Sequence, residues 1–124
     1  MKILKHVKIW PNMMVNELVE EMKNSGFQAR KLADSVRILT DMIHDKKCTK
    51  FLGLAGAIVP GGMRRVIVEI IRNHFIDVIV TTGANLTHDL IEAFGEHHYH
   101  KESVVNDVQL YKSKINRIYN ILLP

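Results

Sequence analysis

The segment FLGLAGAIVPGGMRR, residues 51–65, carries the clearest structural pattern in this sequence. Its first half is a short apolar run after Lys50, for which we predict a strand buried on both faces. Pro60 and the two glycines after it interrupt the run, and helical spacing then returns. The apolar stripe of this predicted helix consists of Met63, Val66, Ile67, Ile70 and Ile71.

A similar order of elements follows in residues 77–85, DVIVTTGAN. We predict a second buried strand over residues 77–82, and after Gly83 another helix that ends at Gly95. The apolar residues of this helix are Leu86, Leu90, Ile91 and Phe94. Strands and a helix joined by short links predict a βαβ unit with parallel strands and a right-handed crossover.

The segments on either side are less regular. Residues 1–14 form a predicted N-terminal arm, and apolar residues at helical spacing predict two helices within residues 15–47. Residues 96–124 are first rich in histidine and then weakly patterned. The predicted fold class is α/β, with N-terminal helices followed by βαβ units of a Rossmann-like parallel sheet.

Composition restricts the function classes. A chain of 124 residues suits one domain, and a net charge of +4 with only 6% aromatic residues argues against nucleic-acid binding. The apolar runs are too short to span a membrane, so no membrane association is expected. A single cysteine, Cys48, excludes an internal disulfide, and we expect a reducing, cytoplasmic compartment.

The two strand-to-helix turns are the best candidates for a binding site. In a parallel sheet, ligands bind outside the carboxyl ends of the strands, and small residues let the backbone approach a phosphate closely. The glycines of the first turn do not form the G-x-G-x-x-G fingerprint, and Thr81-Thr82 stand where an acidic residue would be expected. Nucleotide binding and plain tight turns therefore both remain open.

The histidines allow two interpretations each. His97, His98 and His100 lack the spacing of metal ligands, so an exposed loop is favoured over a metal site, and no metal is expected. His88 falls in the first turn of a predicted helix, where substrate contact and a satisfied polar side chain are equally compatible with the pattern. No serine, cysteine or lysine stands in an arrangement typical of a nucleophile, so no catalytic residue is predicted here.

These motifs together resemble deoxyhypusine synthase, particularly its archaeal forms. The resemblance rests on residues 51–64, on residues 77–85 with Asp89-Leu90-Ile91, and on residues 115–120 with the closing Leu-Leu-Pro. It covers nearly the whole chain but well under half of the family's length, and it matches the N-terminal portion. Family members use NAD to oxidise spermidine and transfer its aminobutyl group, through an enzyme lysine imine, to a lysine of the hypusine-containing translation factor precursor.

The resemblance implies roles for two groups of residues. Thr87 and His88 are the candidate substrate-binding residues, at positions where eukaryotic members carry an acidic pair near spermidine. The family's imine-forming lysine lies outside the matched segment. The candidate NAD-binding residues are Gly56, Ala57, Ile58, Val59 and Pro60 in the first turn, and Thr82, Gly83 and Ala84 in the second.

The resemblance also implies how the chain works. We expect a single domain over residues 1–124, with an arm at 1–14, a helical segment at 15–47 and a partial NAD-binding α/β domain at 48–124. The fold would be incomplete without a C-terminal partner, the other half of a split enzyme, and the chain alone would be inactive. The family forms tetramers, so a multi-subunit assembly is expected.

Two alternatives remain beside this transferase subunit. One is a non-catalytic nucleotide-binding or assembly module, and the other is a subunit of a homospermidine synthase-like enzyme. For the cofactor site, a bulky β-branched residue at Gly83 is expected to weaken NAD binding through backbone strain and lost close approach.

Overall fold

The computed structural model describes residues 3–102 and 106–124. The first two residues of the predicted arm and residues 103–105 lie outside this part. The chain divides into two compact units, Met1–Cys48 and Thr49–Pro124. The division falls one residue after the predicted boundary between the helical and α/β segments, and the single-domain organisation stays a prediction.

The first unit contains two packed helices, α1 (Val15–Met22) and α2 (Phe27–His44). The Glu17 carboxylate accepts the backbone N–H of Met14 at 2.7 Å, which satisfies a free donor at the start of α1. Ala33 is the buried residue of α2. Both helices were predicted from their apolar spacing, and both are confirmed.

The second unit begins with the predicted strand–helix–strand order. Strand β1 (Phe51–Leu54) is followed by a wide helical turn (Val59–Met63), helix α3 (Arg64–Arg72), strand β2 (Val78–Thr81) and helix α4 (Gly83–Ala93). The strands pair in parallel, with Phe51 opposite Val78 and Leu54 opposite Thr81. The mixed α/β class and the parallel pairing are therefore confirmed.

An ion pair joins the two strands where they begin. Asp77 accepts the backbone N–H of Lys50 at 2.7 Å and its ammonium group at 2.8 Å. In the other direction, the Lys50 carbonyl accepts the backbone N–H groups of Asp77 and Val78. These hydrogen bonds hold the pKa of Asp77 below its usual value.

The prediction that both strands are buried on both faces is wrong for the described residues. Phe51 is 66% exposed, and Val80 is 60% exposed. Only two strands form the parallel sheet of the described chain, so no neighbouring strand or second helical layer covers these residues. Strongly apolar strands therefore remain partly open to solvent.

Residues 96–124 contain more regular structure than their weak pattern indicated. Strand β3 (Tyr99–His100), helix α5 (Asp107–Lys112), strand β4 (Asn116–Ile118) and strand β5 (Ile121–Leu123) follow α4. The strands form an antiparallel sheet in the order β3-β5-β4. Arg117 makes two hydrogen bonds to the Asp107 carboxylate, at 2.7 and 2.9 Å, and so joins β4 to α5.

The described residues bury little apolar surface. Only Ala33, Val59 and Leu110 are buried hydrophobic residues, each at most 6% exposed. In the same part of the chain, no helix is both long and apolar enough to cross a membrane.

Candidate functional site

The register of the parallel strands brings the two predicted turns to one edge. Leu54 and Thr81 are paired, so the backbone leaves both strands side by side before residues 55–58 and at Thr82. The wide turn Val59–Met63 also packs against α4. The two segments that the sequence singled out are therefore neighbours at the carboxyl ends of the strands.

The first turn divides into an accessible and a buried part. Gly56 and Ala57 are exposed, Ile58 is half-buried, and Val59 and Pro60 are buried. Gly56 has a φ of 74°, a conformation that favours glycine, and none of the residues that the structure describes has an atom within 4 Å of the position a Cβ would occupy. Gly56 and Ala57 can therefore meet a ligand, while the side chains of Val59 and Pro60 support the turn from inside.

The second turn presents the start of α4. Thr82, Gly83 and Ala84 are exposed, and the Thr82 side chain, at the N-cap, makes no capping hydrogen bond to the first N–H groups of this helix in the described structure. Such groups carry partial positive charge and bind anions. Open space surrounds Gly83, but its φ is not in the left-handed region. The prediction that a substitution at Gly83 strains the backbone is therefore wrong. The predicted loss of close approach by a ligand still stands as an expectation.

Asn85 is a buried polar residue between these turns and the protein interior. It is 3% exposed, and its Nδ2 donates to the Thr81 and Thr82 hydroxyl oxygens at 3.3 and 3.5 Å. Its Oδ1 is buried and has no hydrogen-bond partner among residues 3–102 and 106–124. The residue borders a cavity of about 210 Å³ that Leu54 and Val59 also line. An unsatisfied buried acceptor here indicates a place where a donor from a ligand or water would be stabilised.

The two candidate substrate residues differ in their surroundings. Thr87 is exposed, and its hydroxyl donates to the Gly83 carbonyl at 3.0 Å, an ordinary contact within a helix. His88 is half-buried, and its Nδ1 lies 2.9 Å from Nε2 of His98. His88 is thus held by the surrounding structure, and Thr87 is held only by its own helix.

The interpretation of His98 as part of an exposed loop is wrong. Its side chain is 5% exposed, and its Nδ1 lies 2.8 Å from the Glu92 carboxylate. The ring lies directly before β3 and contacts α4, so packing buries it. His97 and His100 are exposed, as the sequence indicated.

An ion-pair network continues from Glu92 to the helix after the first turn. Arg64 Nε donates to Asp89 at 2.6 Å, and it lies 3.7 Å from Glu92. The sequence pattern singled out neither Arg64 nor Glu92. One indication was available, because His88 and Glu92 are four residues apart and therefore lie on the same side of α4.

Burial sets the electrostatics of His88. The pKa of His88 is lowered, first because burial disfavours the charged ring and second because His98 lies close by. Glu92 acts in the opposite direction, raising the pKa. At neutral pH the ring is therefore neutral and able to accept a proton.

Several features at this edge of the sheet are of the kind that bind anionic groups. Two exposed small-residue turns meet at one edge, and an uncapped helix start and an unsatisfied buried amide oxygen lie beside them. In the described part of the chain, no three histidine, cysteine or acidic side chains are placed to hold a metal ion.

Known proteins resemble this chain over most of its length. A family model described as deoxyhypusine synthase matches residues 17–124. The probable deoxyhypusine synthase 1 of Methanosarcina mazei is 50% identical over 121 residues, which cover 98% of this chain and 38% of the relative. The probable deoxyhypusine synthase of Methanothermobacter thermautotrophicus is 42% identical over 117 residues, or 94% of this chain and 38% of the relative.

The chain thus spans 38% of the length of these curated relatives. The predicted resemblance to archaeal forms is confirmed, and a match to a portion of the family's length agrees with it. Because the family model covers residues 17–124 and the relatives match nearly all of the chain, the chain belongs to the deoxyhypusine synthase family.

Proposed function

We propose that this chain supplies the N-terminal part of the NAD site of a deoxyhypusine synthase. The enzyme would transfer the aminobutyl group of spermidine to a lysine of the hypusine-containing translation factor precursor. The observation that carries the proposal is the pairing of Leu54 with Thr81, which brings both small-residue turns to one edge in a member of this family. NAD, when bound, accepts a hydride from the carbon beside an amine nitrogen.

Different residues of the chain would have different roles in binding NAD. The exposed backbone at Gly56 and Ala57 would approach the cofactor closely, and the N–H groups at Gly83 and Ala84 would donate to its phosphates. Thr82 would flank the same edge. Ile58, Val59 and Pro60 would hold the first turn in shape, because two of them are buried.

The substrate would contact α4 further along the helix. Thr87 and His88 lie one turn beyond Gly83, and His88 is neutral at neutral pH. A neutral ring nitrogen accepts a hydrogen bond from an ammonium group, as an acidic side chain would, but without its negative charge. We infer that His88 has the larger part in amine contact, because Thr87 donates its proton to its own helix.

The covalent step would require residues outside these 124. The relatives extend well beyond the matched length, and exposed apolar residues such as Phe51 and Val80 offer sheet faces that further helices could cover. We propose that the C-terminal part of the enzyme completes a Rossmann-like sheet and carries the catalytic lysine. This part belongs to the same polypeptide or to a second one, in a cytoplasmic, tetrameric assembly.

The test combines this chain with the C-terminal part of a family member. Transfer of label from spermidine to the translation factor precursor, dependent on NAD and on both parts, would support the proposal. Transfer to a small amine instead would favour a homospermidine synthase-like enzyme. NAD binding without any transfer would favour a non-catalytic module, and failure of the assembled protein to bind NAD would contradict all three.

A further inference from the structure

Three side chains on and beside α4 form a continuous hydrogen-bonded series. Glu92 Oε1 lies 2.8 Å from His98 Nδ1, and His98 Nε2 lies 2.9 Å from His88 Nδ1. The two rings are 5.0 Å apart between centroids and tilted by 57°. The series begins at a side chain held by Arg64 and ends at the candidate substrate residue.

The chemistry of the groups determines where the protons lie. An ionised carboxylate only accepts, so the proton of His98 is on Nδ1. A neutral His98 then accepts through Nε2, and His88 must donate from Nδ1. Arg64 lies 2.6 Å from Asp89 and 3.7 Å from Glu92, so one cation stands beside the two carboxylates at this end of the series.

One nitrogen of His88 is left for a ligand. Its Nε2 makes no hydrogen bond to any residue that the structure describes, and in this tautomer it carries a lone pair. The titratable and charged groups placed against His88 are His98 and Glu92, with Arg64 and Asp89 behind them.

We propose that Glu92 and His98 are positioning residues that hold His88 with its proton on Nδ1, so that Nε2 accepts a proton from the ammonium group of an amine substrate. The assignment of the amine rests on the proposed function. It also extends that function, because a protonated amine must lose a proton before its neighbouring carbon can give up a hydride.

The proton transfer balances within the series. The ammonium N–H bond breaks and a bond to His88 Nε2 forms. His88 then releases the proton on Nδ1 to Nε2 of His98, and His98 releases its own Nδ1 proton to Glu92. The amine becomes neutral, both rings stay neutral with exchanged tautomers, and Glu92 is protonated. The three transfers in reverse deliver the proton from His88 Nε2 to a departing amine or to water and restore the initial state.

Histidine ¹⁵N NMR on this chain tests the tautomer without cofactor or substrate. The wild-type chain should show His88 protonated on Nδ1. His98→Phe keeps a ring in the buried position but removes both nitrogens, so the His88 proton should move to Nε2. Glu92→Gln removes the charge and should leave His88 as a mixture of tautomers. The controls His97→Phe and Glu96→Gln change exposed neighbours and should leave the wild-type pattern.

A wild-type His88 protonated on Nε2, or an unchanged tautomer in every one of His98→Phe and Glu92→Gln that folds, would overturn the proposal. If a variant fails to fold, the other one and the wild-type spectrum still decide between these outcomes.

The assembled enzyme provides the second readout. Glu92→Gln should lower kcat/KM for spermidine about tenfold and move its acidic limb to lower pH, because the carboxylate no longer raises the pKa of His88. NAD affinity should not change, and Glu96→Gln should match wild type. An unchanged pH profile in Glu92→Gln argues against the amine role. If the wild-type assembly does not bind NAD, the proposed function is contradicted. The NMR experiment on this chain then still decides the tautomer of His88.

Discussion

Arg64 Nε lies 2.6 Å from Asp89 Oδ1, so the helix after the first turn is tied to the helix after the second. The two residues are 25 positions apart in the sequence. Glu92 lies 3.7 Å from the same guanidinium. One side chain therefore links α3 and α4 and also connects to the series that ends at His88.

Replacing Arg64 with Met should destabilise the chain modestly. Arg64 is 35% exposed and Asp89 is 45% exposed, so water screens the pair and the expected loss of unfolding free energy is roughly 0.5–1 kcal/mol. Urea denaturation at neutral pH measures it. Arg65→Met is the matched control, because Arg65 is exposed and has no ion pair among the described residues. An equal loss in both variants would mean that the pair to Asp89 contributes nothing specific.

Alanine substitutions at Gly56 and Gly83 should differ in their effect on the free energy of unfolding, because only Gly56 has a backbone conformation that strains other residues. Gly56→Ala should lower the unfolding free energy by about 1–2 kcal/mol, because φ at this position is 74°. Gly83→Ala should leave stability unchanged or slightly higher, because its φ is not in the left-handed region and alanine favours helices.

NAD affinity in the assembled enzyme should respond differently at these positions. Gly83→Val should weaken NAD binding roughly tenfold, equivalent to about 1.4 kcal/mol, because the side chain enters space that is otherwise open. Isothermal titration calorimetry measures the affinity. The substitution Gly95→Ala affects a left-handed glycine after α4 and serves as a control for strain away from the turns. If Gly83→Val binds NAD with unchanged affinity, the assignment of the cofactor to this edge of the sheet is contradicted.

Stability should depend on pH through His88. The folded chain lowers the pKa of His88 from 6.5, so the unfolded chain takes up the proton first as the pH falls. The free energy of unfolding should be greatest above pH 6.5, decrease as the pH falls towards the lowered pKa, and level off below it. Denaturation between pH 8 and pH 5 measures this change.

Two asparagine variants test whether His88 causes this pH dependence of stability. His88→Asn keeps an N–H donor towards His98 but cannot titrate, so the decrease should shrink. His97→Asn changes an exposed histidine and should retain the decrease in full. The same slope in wild type and in His88→Asn would mean that another group is responsible.

Asp77 should contribute stability only while it is ionised. Its hydrogen bonds from Lys50 keep its pKa below 3.8, so the contribution is complete above that value and is lost as the pH falls through the folded pKa. Asp77→Asn should therefore be less stable than wild type at pH 7, with a gap that narrows towards pH 3. Urea midpoints across this range measure the gap, and Glu96→Gln is the control for loss of a surface carboxylate that pairs with no residue in the described ranges. A gap independent of pH would contradict the role of the charge.

The sequence by itself determined the order of helices and strands in residues 15–94, the parallel pairing and the two turns. Apolar spacing and glycine positions are local properties, and they report local backbone conformation without knowledge of distant partners. They also carried the family resemblance, which the comparisons confirm. The same local reasoning could not find the sheet of β3, β4 and β5, because its strands are short and weakly patterned.

Only the tertiary structure decided which side chains meet. His98 looked like a residue of an exposed loop, but the approach of its segment to α4 buries it between Glu92 and His88. Packing of the wide turn places the Val59 side chain in the interior, which its position in the sequence did not indicate. Burial depends on neighbours distant in sequence, and hydrophobic spacing does not encode which polar groups they present.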